Sequence, residues 1–327
     1  TEPNCENTYH VVTGSGCSST ALLEGFTVTG GYADPLNVSD FNRSSGGGMF
    51  NSAGSPTVVD CRLVNNFARW AGGAMGNING SNPTVSGSEF SGNRTAVDQA
   101  PCCTRAGRGG AIYVEQSSMT MQGCLVRSNT AINGGGLAIR LASIVNITDC
   151  DFEQNNTVDS SSSVYGGGGA IHLNGGTLQV QGSIFSSNRT DLIGLNGNGG
   201  ALLVFNDINT NSASLSDCLF DNNVAQIGGA IRTEIPAGTT FSRCTFLGNI
   251  ADTSGALDSS RAFLTDCRFI GNQAAGGGAD GPEPDPLRGA RPAQADPRPR
   301  EGRGPRPSPA AGGAVRQDPG GAALHQP

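Results

Sequence analysis

The residues equipped to act on a ligand are few and widely separated. Histidine occurs three times, as His10, His172 and His325, and all 20 basic residues are arginine. His172, Arg232 and Asp258 share one motif position, directly after a Gly-Gly-(Ala/Gly)-apolar tetrad. A histidine near an arginine and a carboxylate can move a proton while fixed charge steadies the reacting group. A second set, Asp60, Asp149, Asp217 and Asp266, stands just before four cysteines. Carboxylates on one face are ligands for a hard cation, but Asp149 and Asp217 fall two repeats apart, too far for one ion. Weakly held Ca²⁺ is therefore the most this column offers, and no other cofactor is indicated. The cysteines themselves recur at one position, Cys61, Cys124, Cys150, Cys218, Cys244 and Cys267, with Ser88 and Ser183 in the remaining copies. Interchange with serine marks a place for a small side chain, so the column reads as buried free thiols. No Cys-x-x-Cys or Cys/His pair at ligand spacing supports a metal site. In-register parallel cysteines suit a disulfide dihedral poorly, which leaves Cys5 with Cys17, and Cys102 or Cys103, as disulfide candidates.

Two alternating motifs must position these groups. The tetrad begins at Gly46, Gly72, Gly109, Gly134, Gly168, Gly199 and Gly228, and at Ser254 with one change. Its partner, (Cys/Ser)-x-(Phe/Leu/Val)-x-x-Asn, ends at Asn66, Asn93, Asn129, Asn155, Asn188, Asn223, Asn249 and Asn272. The mean period is about 30 residues, the range of a solenoid. Glycine pairs rule out helix. Stretches such as Met119-Thr120-Met121-Gln122 and Leu178-Gln179-Val180-Gln181 alternate apolar and polar residues, as strands do. Each period reads as three short strands joined by turns, and coils that cannot bury their apolar face alone must stack. The expected fold is all-β, a single-stranded right-handed parallel β-helix of about nine coils over residues 1–279.

Stacking gives each column a role. Leu63, Phe90, Val126, Phe152, Phe185, Phe220, Phe246 and Phe269 should fill the core. The asparagines should sit in turns, tolerating left-handed backbone and hydrogen-bonding from coil to coil. Phe50, Gly76, Tyr113, Ala138, His172, Leu203, Arg232 and Asp258 should face outward, with the charged ones as solvated surface. Loops at 94–108, 156–167 and 189–198 should project, where recognition usually resides.

Composition narrows the partners. A net charge of -7 and a pI near 4.9 argue against nucleic acid. No run of about 18 apolar residues occurs, so no transmembrane segment is expected. Acceptor-type Asn-x-Ser/Thr sequons begin at Asn37, Asn42, Asn79, Asn93, Asn146, Asn155 and Asn188. From Asp280 the repeat stops, and residues 280–327 hold 11 of the 17 prolines. This Pro/Gly/Arg/Ala-rich tail should be disordered, or the product of translation out of frame.

The paired Gly-Gly-Ala-Ile and Phe-x-x-Asn motifs resemble the polymorphic outer-membrane protein repeat, and more broadly the β-helix repeat proteins of the pectin-lyase-like superfamily. The opening segments Tyr9–Gly16 and Leu23–Gly31 resemble the first coils of large secreted members. The resemblance covers about residues 9–279 and implies a surface-exposed or secreted passenger, often adhesive; a complete repeat set with no convergent catalytic groups then reads as a non-catalytic extracellular or cell-surface scaffold contacting a glycan or a surface protein. The superfamily also includes polysaccharide lyases and glycoside hydrolases. An enzyme of that kind would rely on His172, Arg232 and Asp258, although the clustered carboxylates such chemistry needs are missing. A third expectation is a fragment of a larger surface protein.

Overall fold

Each coil has to turn without leaving backbone groups unpaired, and the two motifs divide that task. The computed structural model describes residues 9–34, 40–97, 107–158, 166–191, 197–205, 211–234, 238–259 and 261–275. The expected tail 280–327, Cys5, Cys102, Cys103 and Asn37 lie outside them. Among the described residues the regular structure is all strand, and strands pair in parallel with the equivalent strand one coil away. The coils form a right-handed parallel β-helix.

Three faces result, but a coil holds four strand segments rather than three. The 16-stranded first sheet takes both the segment after the tetrad, such as Ile112–Glu115, and the next one, such as Ser118–Gln122. In two coils these merge into the continuous strands Leu137–Thr148 and Ile171–Gln181. A register shift between Arg140 and Ser143 absorbs the turn found elsewhere, with Leu141 and Ala142 both at positive φ. The second sheet has nine strands, from Thr27–Thr29 to Arg268–Ile270. The third has six, from Tyr32–Ala33 to Arg189–Asp191, with a two-stranded piece at Ile250–Ala251 and Gln273–Ala274.

The core follows from the inward column of the second sheet. Phe152, Phe185, Phe220 and Phe246 are buried, and their rings stack with centroids 4.9–5.0 Å apart. That spacing is set by the coil rise of about 4.8 Å. The tetrad glycines solve two different steric problems. The first takes a left-handed turn, as Gly168 does at φ 68°. The second lies against the next coil: a Cβ on Gly169 would stand 2.2 Å from the Gly200 carbonyl oxygen.

Each interior ladder asparagine makes four side-chain hydrogen bonds. Asn155 Oδ1 accepts from the backbone N–H of Asn129 at 3.2 Å and from its Nδ2 at 3.0 Å. Asn155 Nδ2 donates to the Val126 carbonyl at 2.8 Å and to Asn188 Oδ1 at 3.0 Å. The pattern runs from Asn66 to Asn272. The left-handed residue is not the ladder asparagine, as its turn chemistry suggests, but the one before it. Asn65, Ser128, Gln154, Ser187 and Asn222 have φ between 52° and 55°, and glycine stands there in other coils.

The cysteine column is a backbone-pairing device as well as filler. Ser88 and Ser183 accept the N–H of Cys61 and Cys150 in the preceding coil, and Cys150 Sγ accepts that of Cys124 at 3.4 Å. Cys61, Cys124, Cys150, Cys218 and Cys244 are buried free thiols, and Cys267 is free and half-buried. Cys17 is also free, its thiol donating to the Gly14 carbonyl at 2.8 Å, and its expected partner Cys5 lies outside the described residues.

Asn155→Ala should lower unfolding free energy by about 3 kcal/mol or more, because it orphans several buried polar groups at once. Asn272→Ala, in a half-exposed rung where water replaces the partners, should cost about 1 kcal/mol. Denaturant titration of the two variants, followed by circular dichroism, measures the difference.

Candidate functional site

Strand alternation sends the first and third residues after each tetrad to the outer face of the first sheet. The first of these columns runs Phe50, Gly76, Tyr113, Ala138, His172, Leu203, Arg232 and Asp258. It points away from the core, yet most of it is covered rather than solvated. Phe50, Tyr113 and Ala138 pack with Trp70, Ala71 and Ile78 as a second apolar cluster, and Phe41 rests against the Trp70 and Tyr113 rings. His172 is 3% exposed, beside Phe205 at a centroid distance of 6.3 Å.

The three candidate catalytic residues do not converge. Leu203 stands in register between His172 and Arg232. Arg232 Nη2 lies 2.7 Å from Glu234 Oε1, its Nη1 donates to Asn198 Oδ1, and its Nε is 4.0 Å from Asp258 Oδ1. The Asp258 carboxylate in turn accepts from Ser254 Oγ at 3.1 Å. The guanidinium is thus held inside the sheet face. Burial, reinforced by the nearby Arg108 and Arg140 guanidiniums, lowers the His172 pKa to about 3. The imidazole is neutral at physiological pH, and neither ring nitrogen has a hydrogen-bond partner among the described residues.

The third-residue column, which the motif reading passed over, carries Glu115, Arg140, Asn174 and Glu234. Tyr113 Oη donates to Glu115 Oε2, which lies 3.5 Å from Arg140 Nη1. Burial, and secondarily Glu115, pushes the Tyr113 phenol pKa up. Arg140 Nε and Asn174 Oδ1 have no hydrogen-bond partner. The signal was available in the sequence, since a strand that turns Tyr113 away from the core also turns Glu115 that way two residues on.

Beyond this stretch the same sheet turns a different surface outward. Thr84, Thr120, Asn146, Gln179, Ser214 and Thr240 are in register, as are Ser86, Gln122, Thr148, Gln181, Ser216 and Ser242. All twelve are exposed or half-buried, all are uncharged, and all can hydrogen-bond. Between the two columns Val85, Met121, Ile147, Val180, Leu215 and Phe241 point inward and are buried. A shallow groove of about 230 Å³ opens where Gln179 and Gln181 meet Ser214 and Ser216. The alternation in Thr120-Met121-Gln122 already announces this face; its unbroken neutrality over six coils emerges only once the register is known.

The aspartate column is explained by the backbone. Asp60, Asp149, Asp217 and Asp266 have φ of 49–56°, and Gly87, Gly123 and Gly182 hold the same turn in other coils. Asp217 is also paired with Arg243 at 2.7 Å. Among the described residues no three His, Cys, Asp or Glu side chains are grouped to hold a metal ion. Of the sequons, Asn93, Asn155 and Asn188 are ladder rungs with both amide hydrogens committed. Asn42 and Asn79 are exposed, and Asn146 lines the groove.

A stack of parallel coils with one covered outer column and one open polar face defines the class as a parallel β-helix solenoid. The chain belongs to the family described as right handed beta helix region, which it matches over residues 15–208. It is 26% identical over 171 residues to metabotropic glutamate receptor-like protein R of Dictyostelium discoideum, a match covering 51% of this chain and 10% of that protein. The chain therefore spans about a tenth of that relative's length. No solved structure matches it.

Because the folded pKa of His172 lies below the ordinary imidazole value of 6.5, the unfolded chain binds the proton first as pH falls. This residue's contribution to stability is complete above about pH 6.5 and declines toward about pH 3, by up to about 1.4 kcal/mol per pH unit. His172→Leu, matching Leu203 in the next coil, should flatten that decline. Denaturant midpoints of both proteins from pH 7 to pH 4 test it, and parallel curves would refute the assignment.

Proposed function

We propose that this protein is a non-catalytic, secreted or cell-surface scaffold of the polymorphic outer-membrane repeat type that contacts a glycan or a surface protein. The observation that carries the reading is the division of the outer face. The groups able to do acid–base chemistry are buried or ion-paired, whereas the accessible columns carry only hydrogen-bonding, uncharged side chains. A neutral, buried imidazole with a pKa near 3 is poorly matched to proton transfer near neutrality. The receptor-like name of the Dictyostelium relative supports a cell-surface setting. Its much greater length supports the view that such a domain works as one part of a larger protein. No helix among the described residues is long and apolar enough to cross a membrane, so tethering would fall to other segments or partners.

The runner-up is a polysaccharide lyase or glycoside hydrolase, favoured by one observation: Tyr113, Glu115, Arg140 and His172 are neighbours on consecutive coils. The full chain should release no new reducing ends from neutral or acidic polysaccharides, with or without Ca²⁺, above a heat-denatured control. Release that disappears in Glu115→Gln or Arg232→Ala proteins of unchanged circular dichroism would overturn the scaffold reading.

A further inference from the structure

We infer that the buried thiol column binds soft monovalent cations, Cu(I) or Ag(I), in two-coordinate sites, one between Cys124 and Cys150 and one within the run Cys218, Cys244 and Cys267. The inference is independent of the scaffold reading. Serines cut the column into three pieces. Cys61 stands alone before Ser88, Cys124 and Cys150 form a pair, and Cys218, Cys244 and Cys267 follow Ser183. The residues after these cysteines are in register, Leu125 with Asp151, and Leu219 with Thr245 and Arg268. Thiols within one piece therefore lie over one another on consecutive coils. The Cys124 and Cys150 thiols hydrogen-bond each other, as do those of Cys218 and Cys244. All four are free and belong to the main apolar core.

Spacing and donor type select the ion. A metal–thiolate bond is about 2.3 Å long, so two in line span about 4.6 Å, close to the coil rise of about 4.8 Å. A cation content with two sulfur atoms in a line thus fits between stacked coils. Zn²⁺ needs four ligands, and among the described residues no three His, Cys, Asp or Glu side chains are grouped to begin such a set. Soft thiolate ligands instead select Cu(I). The backbone favours charge on the sulfur atoms: Cys150 Sγ accepts the Cys124 N–H at 3.4 Å, and the Cys244 sulfur accepts the Cys218 N–H. Hydrogen bonds to ligating sulfur stabilise metal–thiolate centres in the same way. Binding is ligand exchange without electron transfer: two thiols release their protons to solvent, two sulfur–metal bonds form, and the ion keeps its oxidation state. Cys267 is half-buried and gives the second site its entrance, handing an ion to Cys244 one sulfur at a time. The pair Cys124 and Cys150 is fully covered and should load more slowly.

The test is anaerobic titration of the reduced full chain with Cu(I), supplied as its acetonitrile complex, against a chromophoric Cu(I) chelator, and a parallel titration with Ag(I). Cys124→Ser and Cys244→Ser should each remove one equivalent of either ion, and the combined variant should remove two. Serine already occupies this column at Ser88 and Ser183, so the coils should stack unchanged, which circular dichroism checks. Cys124→Ala and Cys244→Ala repeat the readout with an apolar replacement. Cys61→Ser removes a solitary thiol of the same column and should cost no equivalent. Zn(II) should displace neither ion, and X-ray absorption at the copper edge should show two sulfur neighbours. The loaded chain should unfold at higher denaturant than the metal-free chain, and the combined variant should lose that shift, which separates these sites from cysteines elsewhere in the chain. Equal uptake by the parent and the combined variant overturns the inference. So does loss of an equivalent in Cys61→Ser, displacement by Zn(II), or a copper environment of three or more ligands.

Discussion

The fold depends on one constraint: every turn must place its buried amides where the next coil can pair with them. The ladder asparagine meets it with a single side chain, because a primary amide offers two hydrogens and an oxygen that accepts twice. Its oxygen replaces the backbone partner that the preceding turn lacks, and its nitrogen caps a carbonyl that has left the sheet. Successive rungs are separated by 23 to 36 residues along the chain, yet their hydrogen bonds stay between 2.8 and 3.2 Å. The surplus residues fall in sequence between the third sheet and the tetrad or between the two segments of the first sheet, so length can vary without disturbing the stack. The glycine pair is the steric counterpart of the ladder, allowing backbones to approach where a methyl group would collide.

Seen from this constraint, several chemically suggestive columns become structural. The aspartates before the cysteines mark left-handed turns, a conformation that Gly, Asp and Asn tolerate best. The cysteines fill space and their thiols donate to backbone carbonyls, and Cys150 Sγ also accepts the Cys124 N–H. What remains for surface contact is the outer face of the first sheet, and the sheet partitions it. Near the tetrads it supports a covered mixture of aromatic, ionic and unpaired polar groups. Further along each coil it stays open and neutral.

Much of this was legible in sequence because a stacked fold writes its contacts as periodicity. The Phe and Asn columns, the glycine tetrads and the parallel stacking all follow from spacing alone. The count of strand segments was less legible, since a turn between collinear strands leaves no strong mark when Arg140 to Ser143 can bridge it by a bulge. The fate of His172 was not legible at all. Alternation places it outward, but burial depends on what covers that face, and long-range covering carries no period. The same holds for Arg232, whose partners Asn198 and Asp258 lie 34 and 26 residues away. Left-handed turns were misplaced by one residue because the visible Asn drew attention from the variable residue before it.

One copy of the tetrad departs from the rest, with Ser254 at φ 58° where the others place glycine. A serine held in that region stores strain that glycine does not. In a structure whose units touch only their neighbours, local cost is not shared along the whole length. The strain is therefore carried by the Ser254 coil and its immediate neighbour, and the merged strands Leu137–Thr148 and Ile171–Gln181 lie beyond its reach.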